Sequence, residues 1–578
     1  MSDAVEKARA FLREERAFRL GPLLTESSHP KTHRLSQTIE ADVAAGIRQL
    51  LSVDEDIAIA ADRLFAQDGY NRLIDAFLGA MNAGRRIFFT GCGATGRLSI
   101  LLEAAWRRFW EEMKPLAPDA TKLWPLCISV MAGGDFALIK AVEGFEDFPD
   151  FGRHQLREAG VQAGDVVVAI TEGGETPFVI GTAWEGLDRG ADVFFVYNNP
   201  TALLAEHVER SRQVIEEPRI VKLDLTTGPM AVMGSTRMQA TTAELLVVGA
   251  ALETAIVRWL QSRRPQLAPD LRSPEEYARL FRKLLSDLST PAAVDTLRRV
   301  TQFEEAIYRK HGLVTYVADS LLLDVLTDTT ERSPTFMVPP FRKDGDAHLP
   351  VSWAFVKDPH HPTEQAWEQM LQRAPRGLRW KPETYRQLNA PLQIQASPPK
   401  LDNAEIHRFR IGNEPDASRT EAADSAMVAV GLCDEAKWAH PAPMRFGKTA
   451  AITIGPGKGT LDVDEHFHFA CELPASPLRL WEHLAIKLVL NTVSTATMVR
   501  LGRVIGNAMV WLSPSNKKLI DRGTRLISQV TGCSYEHACE ILHQTIEDVA
   551  SIAQRGEEAP SPVALAIERI VSTGTPPE

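Results

Sequence analysis

At 578 residues the chain is too long for one hydrophobic core, and its 44% hydrophobic and 24% charged residues are ordinary globular material, so two domains with helical additions are expected. A net charge of -11 argues against nucleic acid as the main partner, because a phosphate backbone needs a basic surface; local positive patches can still hold a small phosphate. Cys92, Cys127, Cys433, Cys471, Cys533 and Cys539 are scattered without a CxxC pair, which fits reduced thiols and a cytoplasmic home rather than a disulfide or zinc framework. The charged start MSDAVEKARAFLREERAF has no apolar signal segment and no run of 18 apolar residues occurs, so neither export nor a membrane span is expected.

Residues 1–60 read as helix, polar turn (TESSHPKTHRL) and helix, an extension rather than a core. Over 61–262, apolar runs alternate with helical stretches: RRIFFTGCG, LCISVMAGG, GDVVVAITEGG, ADVFFVYNNP and IVKLDLTTGP. Near-continuous β-branched and aromatic runs separated by helices predict a doubly wound parallel sheet in an α/β domain. A helical stretch from Thr236 to about Lys310, with 263–310 as connector, leads to a second, more irregular α/β domain over 311–480. Its strands are expected at GLVTYVAD, LPVSWAFV, AEIHRFRIG and KTAAITIGP. Within it DPHHPTEQAWEQMLQRAPRGLRWKPETYRQ, rich in Trp, Arg and Pro, reads as an insertion or lid. Residues 481–578 return to helix, with a small helical cap and a polar tail.

The strongest local signal is the strand, loop and helix start RRIFFT-GCGATGR-LSILLEAAW, with Gly91, Gly93, Thr95, Gly96 and Arg97. Glycines let the backbone close on a ligand, and the N–H groups at a helix start attract an anion. The loop formally matches GxGxxG, but a dinucleotide site needs an acid ending a second strand about 20 residues on, where helical FWEEMKPLAP stands. A second loop, Thr171-Glu172-Gly173-Gly174-Glu175-Thr176-Pro177, follows the strand GDVVVAI. Its hydroxyls around two glycines suit the oxygens of a phosphate monoester; the plain alternative is a helix cap at Thr176. Two such loops at the carboxyl ends of neighbouring strands converge on one crevice.

The pair resembles the sugar-isomerase (SIS) fold, whose second loop reads Ser-x-Ser-Gly-x-Thr; Thr171 and Gly173 stand in place of the two serines. The resemblance narrows to the family of N-acetylmuramic acid 6-phosphate etherase and its two-domain relative, the glucokinase regulatory protein. It is carried in family order by LLTESSHPKTHRL, GCGATGRLSIL, MAGGDFALIKAVEGFEDF, GPMAVMGSTRM, DTTERSPTF, KLVLNTVSTATMVRLGRVIGNAMVWLSPSNKKLIDR and TGCSYEHACEIL, from about residue 21 to 545. The implied fold is two SIS-type doubly wound parallel-sheet domains in tandem, with amino- and carboxyl-terminal helical extensions.

The etherase's two working glutamates map onto Glu146 and Glu331. Elimination of lactate needs a proton removed from carbon 2 and one delivered to the ether oxygen; the resemblance implies Glu331 as that acid and Glu146 as base and later water activator. Without the resemblance, Glu146 reads as a solvated acid beside Glu143 and Asp147, and Glu331 as a helix-end charge paired with Arg332. Laid on the family pattern, the first domain has Leu102 and Ala105 where the acids belong. The second keeps Asp328 and Glu331 but has Asp319, Leu322 and Leu323 where the glycines and arginine belong. These complementary losses imply one composite site in an internal pseudo-dimer: the loops and Glu146 from the first domain, Glu331 from the second. Lys487, with Asn491 and Ser494, resembles a family helix start and supplies a compact positive charge suited to phosphate; its bland alternative is a salt bridge with Glu482. Ser235, Thr236 and Arg237 are expected to close the same crevice.

GPGKG at Gly455 to Gly459 lacks P-loop spacing; His466 and His468 alternate with Phe467 and Phe469 as in a strand, without a third metal ligand; His360 and His361 sit in an expected surface loop. The leading expectation is therefore a lyase cleaving the lactyl ether of N-acetylmuramic acid 6-phosphate with water and no cofactor or metal. The alternative is a non-enzymatic regulator that binds a hexose phosphate and controls a sugar kinase. Aldose-ketose isomerisation, common in the fold, lacks a well-placed histidine. The implied ligand is a phosphorylated sugar, with neither nucleic acid nor membrane, and a monomer or a homodimer would serve.

Overall fold

The computed structural model describes residues 3–142, 144–433, 446–457, 461–554 and 559–573; Glu143 and, in the GPGKG stretch, Lys458 and Gly459 lie outside them. Strands β1 (Ile87–Gly91), β2 (Cys127–Met131), β3 (Val166–Ile170), β4 (Asp192–Tyr197) and β5 (Ile220–Asp224) form an all-parallel sheet in the order β2-β1-β3-β4-β5. Helices cover both faces, so β1 and β3 are buried at every residue, which is why they read as unbroken apolar runs.

A second all-parallel sheet holds β6 (Val314–Ala318), β7 (Ala354–Lys357), β8 (Ala426–Leu432), β9 (Lys448–Ile454) and β10 (Glu465–Phe469), in the order β10-β9-β8-β6-β7. Read from its other edge this is the order of the first sheet, so the two halves repeat one topology. In each, the strand order reverses between the first and third strands, β1 and β3 or β6 and β8, and the crevice at their carboxyl ends is where ligands sit in open α/β sheets.

One expected strand of the second half is absent, and one strand beyond those expected is present. AEIHRFRIG is not a strand: Asn403–His407 is a single helical turn, started by Asp402, whose carboxylate accepts from the Glu405 N–H at 3.1 Å. The strand that completes the sheet is β8, hydrogen-bonded between β6 and β9.

Four long helices join the halves: Gly93–Met113 after β1, Gln239–Arg263, Leu322–Phe336 after β6, and Leu480–Arg500. Gln239–Arg263 alone among the described residues is long and apolar enough to cross a membrane, and its apolar stretch is wholly buried in the protein. The amino-terminal segment is more than an extension. Leu35, Ile39, Ile47, Leu50, Ile57 and Leu64 on its helices belong to the main hydrophobic core, because amphipathic helices of 7 to 11 residues must cover their apolar faces. At the other end, helix Asp3–Glu14 packs Ala8 and Phe11 against Cys539 of helix Tyr535–Gln554. None of the six cysteines, all of them described residues, is joined in a disulfide.

Candidate functional site

The first loop is built by its own side chains. Thr95 donates its hydroxyl to the Cys92 carbonyl at 2.7 Å and accepts from the Cys92 N–H at 3.1 Å, which turns β1 sharply into helix Gly93–Met113. A Cβ on Gly91 would lie 2.6 Å from the Thr95 carbonyl carbon, and one on Gly96 would lie 2.6 Å from Met131 Cγ, so strand and helix approach closer than any other residue allows. Gly93 adopts φ +54°. Gly93, Ala94 and Arg97 border a cavity of about 320 Å³, with Thr95 and Gly96 behind them as framework.

The second loop follows the same plan. Thr171 and Thr176 hydroxyls lie 3.0 Å apart, the Gly174 N–H reaches the Thr171 carbonyl at 3.1 Å, and the Gly173 and Gly174 carbonyls accept from Asn199 Nδ2 at 2.9 Å and Ser211 Oγ at 2.7 Å. Thr176 does occupy the cap position of helix Pro177–Asp188, but its hydroxyl makes no capping bond. Thr176 and Glu172 line the cavity, while Thr171, Gly173 and Gly174 shape the loop from behind. Ser235 lines the cavity as well, beside Thr236 and Arg237, its N–H held by the Val232 carbonyl at 2.8 Å.

Both expected glutamates reach this cavity. Glu331, on helix Leu322–Phe336 of the second half, is 4% exposed, and its buried Oε2 has no hydrogen-bond partner. Burial pushes its carboxyl up, against the opposing pull of Arg97, Lys487 and Arg237. Asp328, one turn earlier, is instead fully engaged with Arg237, Arg332, Asn491 and Ser494, and despite burial the two guanidiniums hold it below the usual range. The expected pairing of Glu331 with Arg332 is thus replaced by pairing of Arg332 with Asp328 at 2.9 Å and Glu304 at 3.1 Å.

Glu146 lies in the irregular segment before helix Pro149–Glu158. Its carbonyl accepts from the Phe178 N–H at 3.0 Å and its carboxylate accepts from Asn516 Nδ2. Burial raises its carboxyl and Glu175 adds to this, while Lys518 and Arg522 oppose.

Lys487 does not border the main cavity. It donates to the Arg237 carbonyl at 2.6 Å and Asn491 Oδ1 at 2.9 Å, and lines a neighbouring void of about 30 Å³ shared with Arg97, Asp328 and Glu331. A lysine that does line the cavity is Lys518, on helix Lys517–Thr531, which pairs with Glu175 of the second loop at 2.5 Å. Arg522 beside it is held by Glu26 at 2.6 Å, so the polar turn near the start of the chain props the site. Glu172 is a third acid in the cavity, pushed up to about 7 by burial. Sequence reasoning singled out none of Glu172, Asn516, Lys518 and Arg522, although Glu172 stands in the second loop and the others in SPSNKKLIDR.

Among the described residues no group of three or more His, Cys, Asp or Glu is placed to hold a metal; His466 Nε2 lies 2.8 Å from Thr453 Oγ1. The site thus pairs two raised carboxyls from opposite halves with a cationic, glycine-lined crevice, an arrangement suited to moving protons on an anionic ligand.

A family profile described as the glucokinase regulatory protein N-terminal SIS domain matches residues 71–185. An N-acetylmuramic acid 6-phosphate etherase of Synechococcus sp. is 30% identical over 238 residues, 41% of this chain and 67% of that relative. An N-acetylmuramic acid 6-phosphate etherase 1 of Bacillus licheniformis is 28% identical over 242 residues, 41% of this chain and 70% of the relative. Among solved structures, the C-terminal domain of glucosamine-fructose-6-phosphate aminotransferase from Francisella tularensis superposes with a TM-score of 0.43 at 11% identity, covering 79% of this chain and 96% of that one.

Proposed function

The chain belongs to the family of the N-acetylmuramic acid 6-phosphate etherases and the glucokinase regulatory protein, and from that membership we propose that it is a lyase cleaving the D-lactyl ether of N-acetylmuramic acid 6-phosphate. Lys518 and the two loops take the phosphate. Glu146 removes the proton on carbon 2; that electron pair becomes the carbon 2–carbon 3 double bond, the carbon 3–oxygen bond breaks, and Glu331 gives its proton to the departing lactate oxygen. Once Glu146 has passed the carbon 2 proton to solvent it activates a water, whose oxygen adds to carbon 3 of the unsaturated aldehyde as carbon 2 takes a proton from solvent; Glu146 hands the water's proton on and Glu331 is reprotonated, which restores both groups. No cofactor is needed, and one chain suffices because its two halves complete the site.

The observation that carries this reading is Glu331: a buried carboxyl from the second half, raised by burial and with Oε2 unbonded, opens on the cavity that the first half's loops and Glu146 line. An acid that must stay protonated until its proton is needed calls for such surroundings. The test is incubation of the purified protein with N-acetylmuramic acid 6-phosphate and enzymatic assay of D-lactate, with Glu146→Ala and Glu331→Ala alongside. Release abolished by either substitution supports the lyase.

A second reading, a regulator that binds a hexose phosphate and controls a sugar kinase, is favoured by the match of residues 71–185 to the regulatory protein's domain. Tight sugar-phosphate binding in a thermal-shift assay without lactate release would favour it over the lyase.

A further inference from the structure

The Trp-rich stretch between β7 and β8 starts against its own half, where Trp367 Nε1 donates to the Phe409 carbonyl at 3.2 Å, and then reaches the other. After helix Thr363–Leu371 the chain crosses to the first half, where the Arg373 guanidinium grips both carboxylate oxygens of Asp135. The Arg376 N–H donates to Asp135 Oδ2 at 2.6 Å and its carbonyl accepts from the Asp135 N–H at 3.1 Å. Its guanidinium meets buried Glu103 at 2.6 and 3.0 Å. Gly134, at φ +69°, permits this contact, since a Cβ there would lie 2.8 Å from the Arg376 carbonyl oxygen. Four residues on, Trp380 stacks on Phe145, with ring centroids 5.6 Å apart and planes 20° from parallel, and its Nε1 donates to Glu158 at 2.6 Å.

Those contacts bracket the segment carrying Glu146. The described residues of 139–148 lie in no helix or strand; Asp135 lies just before them and Glu158 on the helix just after. Phe145, adjacent to Glu146, is 1% exposed and sits among Phe151, Trp380 and Tyr385. Glu146 cannot shift without withdrawing that ring from its slot.

The geometry points to the strap over residues 372–396, through Trp380, as the element that positions Glu146 across the cavity from Glu331. The inference rests on reading Glu146 as the base. It gives the second half a part in placing the first half's carboxylate, so that both reacting groups take their positions from one side of the molecule. Trp380 is not itself among the residues that line the cavity; it meets that lining through Phe145 and is a positioning residue. Removing its ring leaves Phe145 without its stacked face, and a displacement of about 1 Å at a reacting group costs on the order of a hundredfold in rate.

The test is Trp380→Ala, with Trp380→Phe as the conservative variant, read by two measurements. Lactate-release kinetics should show kcat lower by about a hundredfold with KM little changed, because the phosphate loops are untouched, and Trp380→Phe should recover most of the loss. Hydrogen exchange should quicken over residues 139–148 and at the Phe178 amide, which donates to the Glu146 carbonyl, and not over residues 91–97. Unchanged exchange at those positions in Trp380→Ala overturns the inference whether or not the protein releases lactate, as does a KM effect with kcat intact. Absence of lactate release from the unsubstituted protein counts against the lyase reading alone, since the exchange measurement still decides the strap. Where Trp380→Ala fails to fold, Trp380→Leu keeps apolar bulk without the stack and is read the same way.

Discussion

Glu103→Gln is expected to weaken the protein sharply by unfastening the strap at its root. Glu103 is fully buried on helix Gly93–Met113; it accepts from Arg107 Nε at 2.8 Å, from Arg376 at 2.6 and 3.0 Å, and from the Ser129 N–H and hydroxyl at 3.0 and 2.6 Å, with Arg373 Nε 3.1 Å away. Burial alone would raise its carboxyl, but the three guanidiniums hold it down to about 2 from an ordinary 4.5. At about 1.4 kcal/mol per pH unit that difference is worth about 3 kcal/mol. Removing one partner from a buried ion pair costs a similar ~3–5 kcal/mol, because the remaining charges stay buried and uncompensated.

The sign of the pH dependence follows from the depressed folded value. The stabilisation is complete above the unfolded value of 4.5 and is lost as pH falls toward about 2. At a pH one unit below 4.5, about 1.4 kcal/mol is gone. Urea unfolding followed by tryptophan fluorescence should therefore show Glu103→Gln weaker by about 3 kcal/mol at neutral pH, with the gap narrowing in acid. A neutral-pH gap below about 1 kcal/mol, the worth of an ordinary hydrogen bond, or a gap that does not narrow in acid, would refute this account.

Glu172→Gln should flatten the pH dependence of sugar-phosphate binding measured by calorimetry: Glu172, pushed up to about 7 by burial, gains charge as pH rises through that value and then repels the phosphate, so affinity of the unsubstituted protein falls there. Arg237→Ala, which strips buried Asp328 of an interhalf partner at 3.2 Å and takes a donor from Ser494 and Thr495, should cost ~3–5 kcal/mol in urea unfolding. Gly96→Ala places a Cβ 2.6 Å from Met131 Cγ; overpacking at this level costs ~1–3 kcal/mol, read by thermal unfolding, and should weaken ligand binding by tilting Gly93 and Ala94. Glu331→Gln should retain sugar-phosphate binding while losing lactate release, because Lys518 and the loops are left in place.

The first half was legible because its inner strands β1 and β3 are buried at every residue, so the apolar runs IFFTG and VVVAI announce themselves. The second half was harder. AEIHRFRIG alternates like a strand, yet Asp402 caps a helical turn there, a local hydrogen bond that outweighs the pattern. β8, by contrast, is largely small residues, AMVAVGL, and owes its strand state to β6 and β9 on either side. Glu146 and Glu331 came from motif resemblance and face one cavity. Lys487 and Lys518 both stand in quoted stretches, and spacing alone could not say which one borders the loops. That depends on helix Leu480–Arg500 turning Lys487 toward the Arg237 carbonyl and on Asn516 starting the helix that carries Lys518. The strap's crossing to the first half had no signal beyond its unusual Trp and Arg content, because its partners Glu103, Asp135 and Phe145 lie more than 200 residues earlier in the chain.

The central claim is best tested by running the reaction with N-acetylmuramic acid 6-phosphate in oxygen-18 water and weighing both products by mass spectrometry. Elimination followed by hydration breaks the bond between carbon 3 and the ether oxygen, so the account predicts unlabelled D-lactate and a sugar phosphate carrying one solvent oxygen at carbon 3, with both lost in Glu146→Ala. Labelled lactate beside unlabelled sugar, or no lactate at all, would contradict it.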